Sequence, residues 1–183
     1  MSKKLNYWIN RQNNWIIGRD AKDNCFLPVI DKVNSLIKDK TVLEIGVGTG
    51  RYLHLFKDYK YLYGIDFMPK FINTANKIKP NNCELFVDDV VNIQFNKNID
   101  LIFTMVCLQH VDHQEIDLVI KNITNLNSHD IILWECTNDS YNDNRDYMFG
   151  HNYVTIFKKY NYKLVSSNLW KNKVTYLLHF TQL

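Results

Sequence analysis

Thr41-Val42-Leu43-Glu44-Ile45-Gly46-Val47-Gly48-Thr49-Gly50 is an apolar run that breaks into three glycines at alternate positions. The amphipathic segment 51–58 follows directly, so the reading is strand, tight turn and a helix over 50–58. That arrangement turns backbone N–H groups and a helix N-terminus toward a ligand. Glycine suits such a turn because a side chain would block close approach and because positions of this kind call for φ > 0. A dinucleotide-type turn, G-x-G-x-x-G, would carry its third glycine at position 51. Position 51 is Arg, and the third glycine is Gly50.

Outward from this turn, extended and helical segments alternate. Strands are expected at Thr41–Ile45, Tyr61–Ile65, Glu84–Val87, Ile99–Thr104 and Asp130–Glu135. Helices are expected at Pro69–Lys77, with a stripe at Phe71, Ile72, Ala75 and Ile78, and at Gln114–Leu126, with a stripe at Ile116, Val119, Ile120 and Ile123. A short crossover of undefined type spans Val90–Asn98. The alternation specifies a mostly parallel sheet with helices on both faces. After a helix at Tyr153–Tyr160, only Lys171-Asn172-Lys173 separates the extended runs Tyr162–Trp170 and Val174–Phe180. No crossover helix fits there, so these runs form an antiparallel hairpin. Ahead of the first strand, Asp20 or Asp23 is read as the cap of a helix whose stripe is Val29, Ile30, Val33, Leu36 and Ile37. The expected organisation is one domain, 1–183, with 1–40 as an N-terminal helical cap and 41–183 as the core.

The motif Glu44-x-Gly46-x-Gly48-x-Gly50 resembles the first motif of the class I S-adenosylmethionine-dependent methyltransferases. Five strands with crossovers followed by a hairpin is similar to that family's seven-stranded sheet, over roughly residues 40–183. The resemblance implies an α/β, doubly wound, Rossmann-like fold, S-adenosyl-L-methionine as cofactor, and methyl transfer. Ligands of open α/β sheets sit beyond the carboxyl ends of the strands, where strand order reverses. There the resemblance implies that Glu44 supports the turn beside a ligand ammonium and that Gly46, Gly48 and Gly50 admit the cofactor's amino-acid part. It gives Asp66 the ribose diol, Asp89 and the Val90 backbone the adenine edge, and Thr104 and Met105 the methionine arm. Three alternatives stay open. Asp66 also fits a cap for the helix at Pro69; Phe67 or Met68 fits either the adenine or the core; Asp88 is the fallback for Asp89.

For chemistry at the acceptor, Glu135 at the tip of the fifth strand is expected to project toward the substrate side. With His110 and His151 it makes up the set of candidate bases. His110 fits a backbone-bonded structural role as well. The polar and aromatic stretch Asn138–Asn152 and the segment Tyr7–Trp15 are expected to wall the acceptor, against a plain loop-tip reading.

The chain has 183 residues, 46% hydrophobic and 22% charged, with a net charge of +3, so it is ordinary in composition and only mildly basic. That balance permits nucleic acid as a partner without favouring it. Four scattered cysteines (Cys25, Cys83, Cys107, Cys136) with no C-x-x-C pair suit reduced thiols in a cytoplasmic protein better than a disulfide framework or a metal site. No apolar run spans a membrane, and the opening residues carry no secretory pattern. The chain lacks an acid- or amide-Pro-Pro-aromatic run and a Pro-Cys dipeptide, which demotes DNA base methylation. A small-molecule acceptor and a monomer or homodimer are expected. A non-catalytic binder of the same cofactor, or a methyltransferase acting on RNA or protein, is the alternative.

Overall fold

The structure, a computed structural model, describes residues 7–9, 27–137, 148–169 and 175–183. The Asp20/Asp23 cap, Trp15, residues 138–147 of the expected acceptor wall and the Lys171–Lys173 turn lie outside the described residues. In chain order the elements are α1 (Leu27–Asn34), β1 (Thr41–Ile45), β2 (Tyr61–Asp66), α2 (Pro69–Ala75), β3 (Cys83–Val87), β4 (Leu101–Met105), α3 (Ile116–Thr124), β5 (Asp130–Cys136), α4 (Tyr153–Lys158), β6 (Tyr162–Leu169) and β7 (Thr175–Gln182). The strands form one seven-stranded sheet in the order β3-β2-β1-β4-β5-β7-β6. The first five are mutually parallel, β7 runs antiparallel to β5, and the β6–β7 hairpin is antiparallel with a register shift between Leu164 and Ser166.

Alternation along the strands splits the core into two layers. Val42, Leu62, Leu101, Phe103, Ile132 and Trp134 face α1, where Val29, Ile30 and Val33 are buried, and Ile37, just beyond the helix end, joins the same layer. Leu43, Ile45, Ile65, Ile102, Ile131 and Leu133 face α3 and α4. The α3 residues Ile116, Val119, Ile120 and Ile123 lie on one helix face and are all buried. Each contributes about 1.5–3 kcal/mol of apolar burial. Asp130 anchors the amino-terminal end of β5, accepting Lys40 Nζ at 3.1 Å and His179 Nε2 at 2.9 Å.

Two local expectations are corrected, and the crossover left undefined takes its form. The helix over 50–58 is absent; the segment makes one 3-10 turn, Leu53–Leu55. Gly50 has φ +77° and Asp58 φ +59°, neither of them helical, and Asn34 of α1 ties the piece down by donating to Leu55 O at 3.0 Å and accepting from Lys57 N at 3.0 Å. The Val90–Asn98 crossover likewise contains only a 3-10 turn, Val90–Asn92. Because α2 ends at Ala75, Ile78 falls beyond the helix and is 57% exposed rather than part of the stripe.

Candidate active site

β1 lies between β2 and β4, and the chain leaves it to one side and later returns on the other. Its carboxyl end is therefore the switch point where a crevice opens. The glycine turn begins there with Gly46 N and Val47 N both donating to Ile65 O, at 2.9 and 3.0 Å. The three glycines have φ of +82°, +56° and +77°, a region that L side chains rarely enter. Their surroundings differ. A Cβ on Gly46 would lie 2.5 Å from Cys107 Sγ, and one on Gly50 would lie 2.9 Å from both Ala75 Cβ and Leu53 Cδ1. A Cβ on Gly48 would meet nothing within 4 Å among the described residues. Gly46 and Gly50 are packing glycines; Gly48 borders open space.

The acids at the strand tips bind backbone. Asp66, 9% exposed, accepts Gly48 N on Oδ2 at 3.0 Å and Met68 N on Oδ1 at 2.9 Å. One carboxylate thus ties the glycine turn to the backbone just ahead of α2; the cap reading is corrected, since the N-cap residue is Met68 and no side chain caps the helix. Glu44 is 3% exposed, and its Oε2 is buried without a hydrogen-bond partner among the described residues. Burial, and then the charge of Asp66, push its carboxyl up to about 8. At the tip of β3 the adjacent acids diverge. Asp88 accepts Gln94 N at 3.2 Å and lines an outer groove of about 440 Å³ with Phe86 and Phe95. Asp89 caps the 3-10 turn by accepting Val91 N at 3.1 Å, with Val90 buried behind it. Met68 is buried and Phe67 is half-buried.

The largest correction concerns β4 and β5. Glu135 does not project toward a substrate. It is fully buried, and its Oε1 accepts Thr104 Oγ1 at 2.7 Å, Cys107 N at 2.9 Å and Leu108 N at 3.1 Å, while Oε2 accepts Gln109 N at 3.1 Å. Burial pushes its carboxyl up and these four bonds pull against that. Thr104 is therefore buried with its hydroxyl committed to Glu135, and Met105 is buried in the α1-side layer. His151 is also withdrawn from the base set. It is 2% exposed and its Nε2 donates to Val111 O at 3.0 Å. Burial, then neighbouring His113, lower it to about 4, so it stays neutral. Only His110 remains half-buried at the front, its ring 5.0 Å from that of Trp8 and 6.0 Å from that of Tyr7. Trp8 also meets Phe71 of α2 at 6.1 Å, so the N-terminal turn bridges both sides of the crevice. Sequence reading missed Val106, a β-branched residue at φ +56° that reverses the chain after β4. Such backbone is held at a cost of about 1–3 kcal/mol and recurs at functional sites. It also missed Cys107, which seals Gly46. Neither residue carries a sequence signal, because both depend on what β1 and β5 place opposite them. Among the described residues, no group of three or more His, Cys, Asp or Glu is arranged to hold a metal.

A family model described as a methyltransferase domain matches residues 42–129, the span from β1 through α3 that includes the glycine turn and the strand tips. Over that span the chain is similar to the class I S-adenosylmethionine-dependent methyltransferases. Solved methyltransferases share the fold across the whole chain. The N-methyltransferase NodS from Bradyrhizobium japonicum WM9, solved with S-adenosyl-L-homocysteine, superposes with a TM-score of 0.80 at 15% identity, covering 99% of each chain. Magnesium protoporphyrin IX methyltransferase from Synechocystis PCC 6803, solved with bound SAM, gives 0.76 at 14% identity, covering 100% of this chain and 98% of the other. A putative methyltransferase solved in complex with the Haloferax volcanii Trm112 activator gives 0.74 at 11% identity, covering 99% and 98%. At these identities the likeness to them is one of fold. No curated protein matches the sequence of this chain.

Proposed function

We propose that this protein transfers a methyl group from S-adenosyl-L-methionine to O or N of a small-molecule acceptor. The observation that carries the reading is the chemistry of the crevice rim. Glu44, Asp66 and Asp89 stand at or beside the tips of three adjacent strands, and the glycine turn leads into a single 3-10 turn instead of a helix. A dinucleotide pyrophosphate calls for a helix N-terminus and its positive field. A ligand with a sulfonium and an ammonium calls for carboxylates. The buried, unpartnered oxygen of Glu44 fits the ammonium, and the open side of Gly48 fits close approach of the amino-acid part. Asp66, held toward the turn by Gly48 N, serves the ribose diol; Asp89 with the Val90 N–H serves the adenine edge, and Phe67 stands beside it.

When bound, the cofactor supplies an activated methyl group, so the protein's task is alignment of donor and acceptor and exclusion of water. Tyr7 and Trp8 over His110 favour a covered entrance, which suits a small molecule better than an extended polymer. His110 is the side chain left in position to take a proton where the acceptor carries one. Calorimetric titration with S-adenosylhomocysteine and with NAD tests the cofactor: saturable binding of the first alone is expected, and the reverse preference overturns the reading. Transfer of labelled methyl from the donor into a metabolite extract, and none into RNA or protein, is the expected acceptor result.

A further inference from the structure

Glu135 uses both carboxylate oxygens, from inside the protein, to collect Thr104 Oγ1 and three successive amides, Cys107, Leu108 and Gln109. Consecutive N–H groups converging in this way make an anion-binding concavity, here filled by the protein's own side chain. The loop could not take that form without the reversal at Val106, whose N–H still continues the sheet to Trp134 O at 2.9 Å while its φ is +56°. What the loop carries is functional surface. Cys107 closes on Gly46 so tightly that a Cβ there would lie 2.6 Å from Cys107 Cβ, and His110 follows at the front of the crevice. From behind, Phe149 N donates to Gln109 O at 2.7 Å and His151 to Val111 O at 3.0 Å, so the same loop is clamped from both sides.

We propose that Glu135 is a positioning residue for methyl transfer: it folds the loop after β4 into the shape that sets Cys107 against the glycine turn and His110 before the acceptor. The proposal rests on the cofactor reading above, since it assigns Glu135 an effect on that same crevice. It differs from a merely stabilising role. A bond set of this kind acts on the geometry of residues 106–110, and through Gly46 on the amino-acid end of the cofactor.

Glu135→Gln is the direct test. The amide has nearly the same shape, but its NH2 group must face either Gln109 N–H or the cluster of three donors, so one part of the nest is always donor against donor. Three readouts are compared in wild type, Glu135→Gln and Asp130→Asn. The last is a destabilising control at the opposite end of the sheet, where Asp130 holds Lys40 and His179. Calorimetry with S-adenosylhomocysteine is expected to show at least tenfold weaker binding for Glu135→Gln and no change for Asp130→Asn. Amide exchange at Cys107, Leu108 and Gln109 is expected to accelerate at least tenfold in Glu135→Gln, with the α3 amides unchanged. With a methylated acceptor in hand, kcat is expected to fall more than KM rises. If Glu135→Gln does not fold, Thr104→Val removes one of the four bonds, and a threefold or greater loss of affinity is expected. Wild-type affinity in the folded Glu135 variant, or in Thr104→Val where that one stands in, overturns the positioning role and leaves the cofactor reading intact. No binding by wild type overturns the cofactor reading and this proposal with it.

Discussion

Glu44 offers a measurable link between site and stability. Its carboxyl is raised from 4.5 to about 8, by burial first and by Asp66 second. The unfolded chain loses this proton near pH 4.5 while the folded protein keeps it until about pH 8. Over that window the folded state binds more protons, so the contribution of Glu44 to stability falls as pH rises, then levels off above pH 8. At about 1.4 kcal/mol per pH unit, the window amounts to roughly 5 kcal/mol. Glu44→Gln is nearly isosteric and cannot ionise, so it is expected to match wild type near pH 4.5 and to become progressively more stable than wild type toward pH 8. Urea unfolding of both proteins from pH 4.5 to 9, read as the difference between them, measures this without interference from groups the two share. The variant is also expected to bind S-adenosylhomocysteine more weakly, since it gains stability by losing the charge proposed for the ligand ammonium. In wild type at pH 7, binding is expected to release close to one proton, visible as a calorimetric enthalpy that varies with buffer ionisation heat. A stability difference independent of pH would refute the reasoning, whatever its size.

Other substitutions separate packing from binding. Gly46→Ala drives a methyl into Cys107, 2.5 Å from its Sγ, and is expected to lower stability by about 1–3 kcal/mol in urea unfolding as well as weakening ligand binding. At Gly48 an added Cβ meets nothing within 4 Å among the described residues, so Gly48→Val costs stability only through its φ of +56°, and the expected result is a protein still folded by circular dichroism that no longer binds S-adenosylhomocysteine. For His151 the pH dependence runs opposite to that of Glu44. Its pKa falls from 6.5 unfolded to about 4 folded, so its contribution is complete above pH 6.5 and is lost as pH falls toward 4. That amounts to about 3 kcal/mol, and His151→Gln is expected to abolish this part of the acid-side slope in the same titration.

The sheet was legible because its signals are local. The unbroken apolar run Leu101-Ile102-Phe103 dictates a strand buried on both faces, and the three-residue gap 171–173 forces the last two runs into a hairpin whatever the tertiary context. The glycine turn and Asp66 were legible for the same reason. Their spacing along the chain is the spacing of two neighbouring strand tips, and the bond from Gly48 N to Asp66 joins them. The helix at 50–58 was not, because Arg51-Tyr52-Leu53-His54-Leu55-Phe56 has helical periodicity while Asn34, seventeen or more residues away in sequence, fixes it in another form. Glu135 failed at the site for a related reason. An acid at a strand tip reads as a group facing solvent or substrate, and nothing in Trp134-Glu135-Cys136 announces that three amides of another loop converge on it. Strand tips were found; which way their side chains point was set by partners distant in sequence.

That pattern extends to the whole rim. Asp66, Asp88, Asp89 and Glu135 each accept at least one backbone N–H, so every acid that shapes this edge organises a loop in addition to whatever it offers a ligand. Glu44 is the exception, with an unpartnered oxygen and a raised pKa, and it is coupled to Asp66 through charge rather than through a shared bond. Asp66→Asn tests that coupling. The amide oxygen still accepts one backbone N–H, so the turn is retained in part, while the charge that opposes ionisation of Glu44 is gone. The pH at which the Glu44 contribution levels off is then expected to move down from about 8 while staying well above 4.5, because burial is the larger cause and is unchanged. The comparison of Asp66→Asn with the Asp66→Asn/Glu44→Gln double variant across pH isolates that midpoint. An unmoved midpoint would mean that the two carboxylates do not sense each other, and the crevice would then lack the paired negative field on which recognition of a doubly cationic ligand depends.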